Sequence, residues 1–165
     1  MTDIYTELEN KWFNIIHIGL KKKHLVILQD ELLGENRPLI NKFHYSYKII
    51  SGPRLIGENN NYIENDETIV SSIQQYTLNI KSFFKESIDD LVNFQQYLFI
   101  DPDNLLIKNN IAIVDRGTII DVSYSTNTGV KKQYSLDIIF NTIKEYIIKS
   151  TTIHTTDISA TQGRL

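Results

Sequence analysis

The side chains able to do chemistry in this 165-residue chain are few and dispersed. Its four histidines are His17, His24, His44 and His154. A metal centre needs several ligands converging, often at i, i+4 on a helix or flanking a turn, and none of these histidines is so spaced. No metal or cofactor ligand set is expected, and His17 reads as a histidine beside an apolar stripe. Carboxylates cluster at Asp89-Asp90 and at Glu64-Asp66-Glu67. General acid–base work needs two carboxylates facing each other with separated pKa values. Adjacent acids at a helix start answer to the helix dipole instead, and acids in a polar stretch answer to solvation. A small hydrolase would need Asp89, Asp90 or Glu64 to meet His44 or His17 in one pocket. There is no GxSxG elbow, P-loop or GxGxxG, so no catalytic residue is assigned. Asp115-Arg116-Gly117 remains as a turn whose guanidinium suits a carboxylate across an interface or a surface ion pair.

Composition narrows the classes further. Seventeen basic and twenty acidic residues leave a net charge of −3. Nucleic-acid binding depends on neutralising phosphates with Lys and Arg, so it is disfavoured. Tyr45, Tyr47, Tyr76 and Tyr134 then read as core rings rather than base-stacking platforms. The absence of cysteine removes disulfides and thiolate chemistry. No run approaches the ~20 apolar residues that cross a bilayer, and Met1–Asn10 lacks the basic and apolar regions of a signal peptide. The expectation is a soluble, non-catalytic protein assembled in a cytoplasm.

The elements that would position these residues follow from periodicity. Ile4, Leu8, Trp12, Ile15, Ile16 and Leu20 share a helical face, and Gly19 with Lys21–Lys23 suits its C-terminal end. His24–Gln29 reads as a short strand and Glu31–Pro38 as a loop. Phe43, Tyr45, Tyr47 and Ile49 alternate with polar residues, marking a half-buried strand. Ser51-Gly52-Pro53 is expected to end it. Gly57–Thr68 is the most polar stretch and reads as a mobile loop. Ile69–Phe84 reads as a long strand. Ser87 and Asp90 resemble a capping box before a helix presenting Ile88, Leu91, Val92, Leu98 and Phe99, which Asp101-Pro102-Asp103-Asn104 stops. Ile111–Val114 and Thr118–Tyr124 read as strands, and Ser125–Gly129 as a hairpin tip with Asn127 and Gly129 able to take φ > 0. Val130–Phe140 returns with Tyr134, Leu136, Ile138 and Phe140 on one face, and alternation is less clear from Asn141 to Thr152. The fold class is α+β: a mainly antiparallel sheet with helices packed on one face. Residues 1–150 are expected to form one domain, and 151–165 a tail that is flexible or ordered by a partner.

The order of these segments resembles a phage neck or tail terminator family. The resemblance rests on the Tyr-rich strand Phe43–Ser51 (FHYSYKIIS), the strand Tyr76–Phe84, the amphipathic helix Ser87–Phe99, the strand and turn Asn110–Gly117 and the hairpin Ile119–Phe140. It covers most of the chain, up to about Ile148. The tail from Thr151 has no counterpart, and the Pro- and Tyr-rich lead-in is reduced to Arg37-Pro38. The resemblance implies a tail-terminator-like fold and a virion structural protein of the neck or tail. Such proteins form a ring, typically hexameric, that caps the tail tube and joins it to the head connector. Its neighbours would be a connector or neck protein on one side and tail tube or sheath proteins on the other. DNA would pass through the lumen without specific binding, and no membrane is involved. A head-completion or tail-adaptor protein is the nearest alternative. Candidate interface residues are Asn60 and Tyr62 in the polar stretch, Asp115 and Arg116 in the turn, and Thr126 and Asn127 at the hairpin tip.

Overall fold

A computed structural model describes residues 4–21, 25–32, 43–64 and 67–148. Helix α1 (Ile4–Gly19) is followed by strand β1 (Leu25–Leu28) and a 3-10 turn (Gln29–Leu32). Two long strands, β2 (His44–Glu64) and β3 (Glu67–Ser82), precede helix α2 (Ser87–Ile100) and the short helix α3 (Leu105–Lys108). Then come β4 (Ile111–Asp115), β5 (Ile119–Asp121), β6 (Tyr124–Thr126), β7 (Gly129–Lys131) and β8 (Tyr134–Ile148). The main sheet runs β1-β2-β3-β8-β4, with β5 also paired to β8; β6 and β7 form a separate two-stranded hairpin. Among the described residues only β1 against β2 is parallel.

Period-two alternation builds the core from three strands. Tyr45, Tyr47 and Ile49 of β2, Tyr76, Leu78 and Ile80 of β3, and Tyr134, Leu136, Ile138 and Phe140 of β8 are all buried. Register aligns them in rows: Tyr47, Ile80 and Leu136 in one, and Ile49, Leu78 and Ile138 in the next. Each such residue contributes roughly 1.5–3 kcal/mol by leaving water. Helix α1 lays Leu8, Trp12, Ile15 and Ile16 on this face, with the Trp12 ring edge-on to Phe140 at 5.0 Å. Gly19 lets α2 approach closely, since a Cβ there would lie 2.6 Å from the Phe94 ring. The opposite face is polar. The Asn79 amide donates to Ser135 Oγ at 2.8 Å and to Asp137 at 2.6 Å and accepts from Gln29 at 2.9 Å. That satisfaction explains how an amide can be nearly buried there.

Several expectations need correcting. Gly57–Thr68 is not a loop: β2 runs to Glu64 and β3 starts at Glu67. Its polar residues face water on both sides, so no buried face marks a strand period, while pairing with β3 satisfies one edge of the backbone from Asn60 to Glu64. Ser51-Gly52-Pro53 does not end β2 either; register shifts between Ile49 and Arg54 absorb it as an irregularity, as edge strands allow for proline. β8 continues to Ile148 instead of fading after Asn141. The capping box does not form. Glu86 is the N-cap without a side-chain bond, and Ser87 Oγ instead donates back to the Phe84 carbonyl at 2.5 Å and meets Ser82 Oγ at 2.7 Å.

On α2, Leu91, Phe94 and Leu98 are buried, whereas Ile88, Val92 and Phe99 are exposed. The return of the hairpin is split: β6 meets β7, and β5 alone continues onto β8. Gly129 has φ 127°, while Asn127 keeps a negative one. The loop expected at Glu31–Pro38 lies outside the described residues beyond Leu32. So do Lys22, Lys23, His24, Asp66, His154 and the tail.

Candidate assembly surface

The helices cover only part of the sheet. Near the start of α1 the Tyr5 hydroxyl donates to the Gly52 carbonyl, and past this point β2, β3 and β8 run on as a three-stranded arm. On the face away from the helices, Ile56, Ile73 and Ile143 form one cross-strand row and Tyr62, Ile69 and Ile147 another, with Asn60, Ser71 and Glu145 between them. Tyr62 donates to Glu145 Oε1 at 3.1 Å. That bond, and the charges of Glu145 and Glu64, raise the Tyr62 phenol above its ordinary pKa. On the helix-side face the arm carries Leu55 and Ile63, and Ile63 is 77% exposed.

β4 forms the far edge of the sheet. Beside it, α2 and α3 leave a groove of about 650 Å³. Its walls carry Phe99, Ile100, Ile107 and Val114, all exposed. An adjoining apolar hollow of about 300 Å³ joins Ile107 to Ile73 and Ile143 of the arm. The turn after β4 is rigidly built. Asp115 accepts the Gly117 N–H at 2.8 Å, and the Gln95 amide donates to the carbonyls of Arg116 at 3.0 Å and Gly117 at 2.8 Å. The Arg116 guanidinium lies 4.7 Å from the centre of the Phe99 ring, within cation–π range. Among the described residues Arg116 makes no ion pair.

The six residues singled out in the sequence therefore fall in three places. Asn60 and Tyr62 sit together on the arm, and Asp115 and Arg116 at the end of β4. Thr126 and Asn127 sit on the β6–β7 hairpin, next to the start of β8, whereas the arm tip lies at its end. Fourteen steps of about 3.3 Å put those ends roughly 45 Å apart. Thr126 Oγ1 is occupied within its own turn by the Gly129 carbonyl at 2.8 Å. Sequence reasoning missed the exposed wall of Phe99, Ile100 and Ile107, having grouped Phe99 with Leu91 and Leu98 as one apolar set on the helix. The signal was present: Leu91, Phe94 and Leu98 make one helical stripe, and Ile88, Val92 and Phe99 make a second.

The carboxylates and histidines do not converge. Asp90 accepts from the Tyr45 hydroxyl at 2.9 Å, Glu64 lies at the arm tip, His17 stacks on Phe13 at 5.6 Å and His44 on Phe83 at 4.4 Å. Among the described residues no three potential metal-ligating side chains gather.

Fold and surface together define an α+β protein whose sheet outruns its helix layer and presents apolar side chains at both margins. The sequence matches the phage neck terminator protein family over residues 3–163, nearly its whole length, so most of the tail from Thr151 does have a counterpart there, and the chain belongs to that family. It is thus a neck component of a phage virion, from a structural family that works with other head and tail proteins. No curated protein matches it.

Proposed function

We propose that copies of this chain close into a ring, six subunits in number, that caps the tail tube, stops its growth and joins it to the head connector. The observation that supports this reading best is the arm. A sheet that leaves Tyr62 and Ile147 on one face of its end and Leu55 and Ile63 on the other in water exposes apolar side chains of the kind that marks sites of protein association. A ring joining two different structures must also bind one partner at each end, and the exposed β6–β7 hairpin beside the start of β8 offers a surface for one of them. The role is mechanical and non-catalytic, and the subunits assemble in the host cytoplasm. DNA passes through the lumen unretained, since a chain of net charge −3 offers phosphates little attraction.

The test is electron microscopy and light scattering of the purified full chain, alone and with tail tubes. Rings, and tubes capped at one end, are the expected result. A protein that stays monomeric at high concentration and leaves tube ends bare would refute the reading.

A further inference from the structure

Two margins of the main sheet are open, and they lie on opposite sides of it. One is β4, which pairs with β8 on one side and, among the described residues, with no strand on the other. The other is the arm portion of β2. β1 covers β2 only from His44 to Tyr47, so among the described residues β2 has no strand neighbour other than β3 beyond that point. Open edges present unpaired backbone N–H and C=O groups and act as templates for another strand.

Most of the β2 margin is protected. Pro53 has no N–H to give, and a register shift between Ile56 and Asn60 distorts the strand around Gly57. Past it, Asn60–Glu64 is regular, pairing residue for residue with Ser71–Glu67. Five residues are free to pair there, and β4 is also five residues long.

We infer that the arm tip Asn60–Glu64 of one subunit adds as a strand to the open edge of β4 in the next, seating Ile63 in the groove lined by Phe99, Ile100 and Ile107. It rests on the ring reading above and deepens it by naming the subunit contact. Three observations fix the second copy of this chain as the occupant.

The first is polarity. β2, β3, β8 and β4 alternate in direction, so a next copy in the same orientation presents its β2 antiparallel to β4, the pairing the rest of this sheet uses. Opposite margins of one sheet make a heterologous contact, which closes into a ring when the rotation allows.

The second is apolar complementarity. Among the described residues, the four most exposed large apolar side chains are Ile63 at 77%, Ile107 at 71%, Phe99 at 70% and Ile100 at 67%. Three line the groove and the fourth is on the tip. Ile63 projects from the helix side of the sheet, as do Ile111 and Ile113 of β4, so a register placing Ile63 opposite Ile111 or Ile113 also brings it to the α2 side.

The third is charge. Antiparallel pairing carries Glu64 toward Lys108 and Glu58 toward Arg116. Neither glutamate makes an ion pair among the described residues, and Arg116 has only the Phe99 ring.

The chain has no native cysteine, so the contact can be tested by cross-linking. The full chain carrying both Ile63→Cys and Ile107→Cys is treated with a short bis-maleimide. A ladder of covalent species up to the ring is expected, with no ladder from either single variant. Ile63 is exposed, so Ile63→Asp should keep the wild-type circular dichroism while weakening subunit association roughly tenfold or more. Wild-type rings together with an unlinked double variant, or with an Ile63→Asp protein that assembles normally, would overturn this contact and leave the ring reading standing. Dimers from the Ile63→Cys variant alone would show an isologous contact and overturn it too. A wild type that forms no rings, even with tail tubes, would bring down both.

Discussion

The Tyr45 hydroxyl donates to the Asp90 carboxylate at 2.9 Å, tying the first turn of α2 to the core face of β2. Tyr45 is fully buried, and its ring packs edge-on against Phe84 at 5.3 Å. Tyr45→Phe keeps the ring and removes only the donor. A hydrogen bond to a charged group contributes about 1.5–3 kcal/mol, so urea unfolding should show a loss of that order with an unchanged slope. An unaltered midpoint would mean that the bond adds nothing to stability.

The phenols also set an alkaline limit. Burial, followed by the Asp90 bond and its charge, pushes the Tyr45 pKa far up. Burial pushes Tyr76 up to about 12 and, with the Asp103 bond, raises Tyr97 as well. A raised folded-state value means that the fold favours the neutral phenol. The stabilisation is complete below the ordinary phenol value near 10 and drains away as pH climbs from there toward the raised values. Ultraviolet titration of phenolate absorbance should show these three groups ionising late and together with unfolding. Unfolding midpoints should fall above about pH 10 and stay level just below it, as far as these groups decide. Ionisation of all nine tyrosines in one early step would contradict this.

What the sequence revealed and what it hid divide along burial. Tyr45 to Ile49, Leu78 to Ile80 and Tyr134 to Phe140 were legible because one face of each strand is apolar and the other polar, which writes a period of two into the residues. The β2 strand of the arm has no dry face from Gly57 to Glu64. Asn60 and Asn61 form a strand through backbone pairing with β3 alone, and nothing in their side chains marks it. Phe99 misled for the converse reason: it is apolar at helical spacing, yet it faces a groove rather than the core. Ser87 was read as a forward cap, but its hydroxyl turned back to Phe84. Of the candidate surface, the sequence located Tyr62 and Arg116 by polarity and turn chemistry. It had no means to place the two on opposite margins of one sheet.

Two glycines with left-handed backbones should respond unequally to alanine. Gly117 has φ 69°, and an added Cβ would come within 1.7 Å of the Asp137 carbonyl oxygen. The backbone there must move, and with it the link between β4 and β5. Gly57 has φ 74° but nothing within 4 Å of an added Cβ. Gly57→Ala should cost only the left-handed strain of about 1–2 kcal/mol, and Gly117→Ala well over that, measured as thermal unfolding at equal concentration. Equal effects would mean that the turn yields where the close contact says it cannot.

The β6–β7 hairpin separates folding from assembly. Among the described residues it pairs with no other strand, and Tyr124 and Val130 on it are exposed. Removing Thr126–Thr128 and closing the turn with glycine should leave the unfolding free energy within about 0.5 kcal/mol of wild type, as for other surface changes. The same deletion should abolish joining of heads to tails if the tip meets a neighbour there. Ile138 is the opposite case. It is fully buried between Leu78 of β3 and the helices, so Ile138→Asp places a carboxylate where no cation waits. Burial of an unpaired charge costs more than about 4 kcal/mol, a large share of a domain's whole stability, and the protein should fail to fold. Circular dichroism on both variants, with a head–tail joining assay on the deletion, separates the two roles. Normal joining by a folded deletion variant would show that the tip has no part in docking.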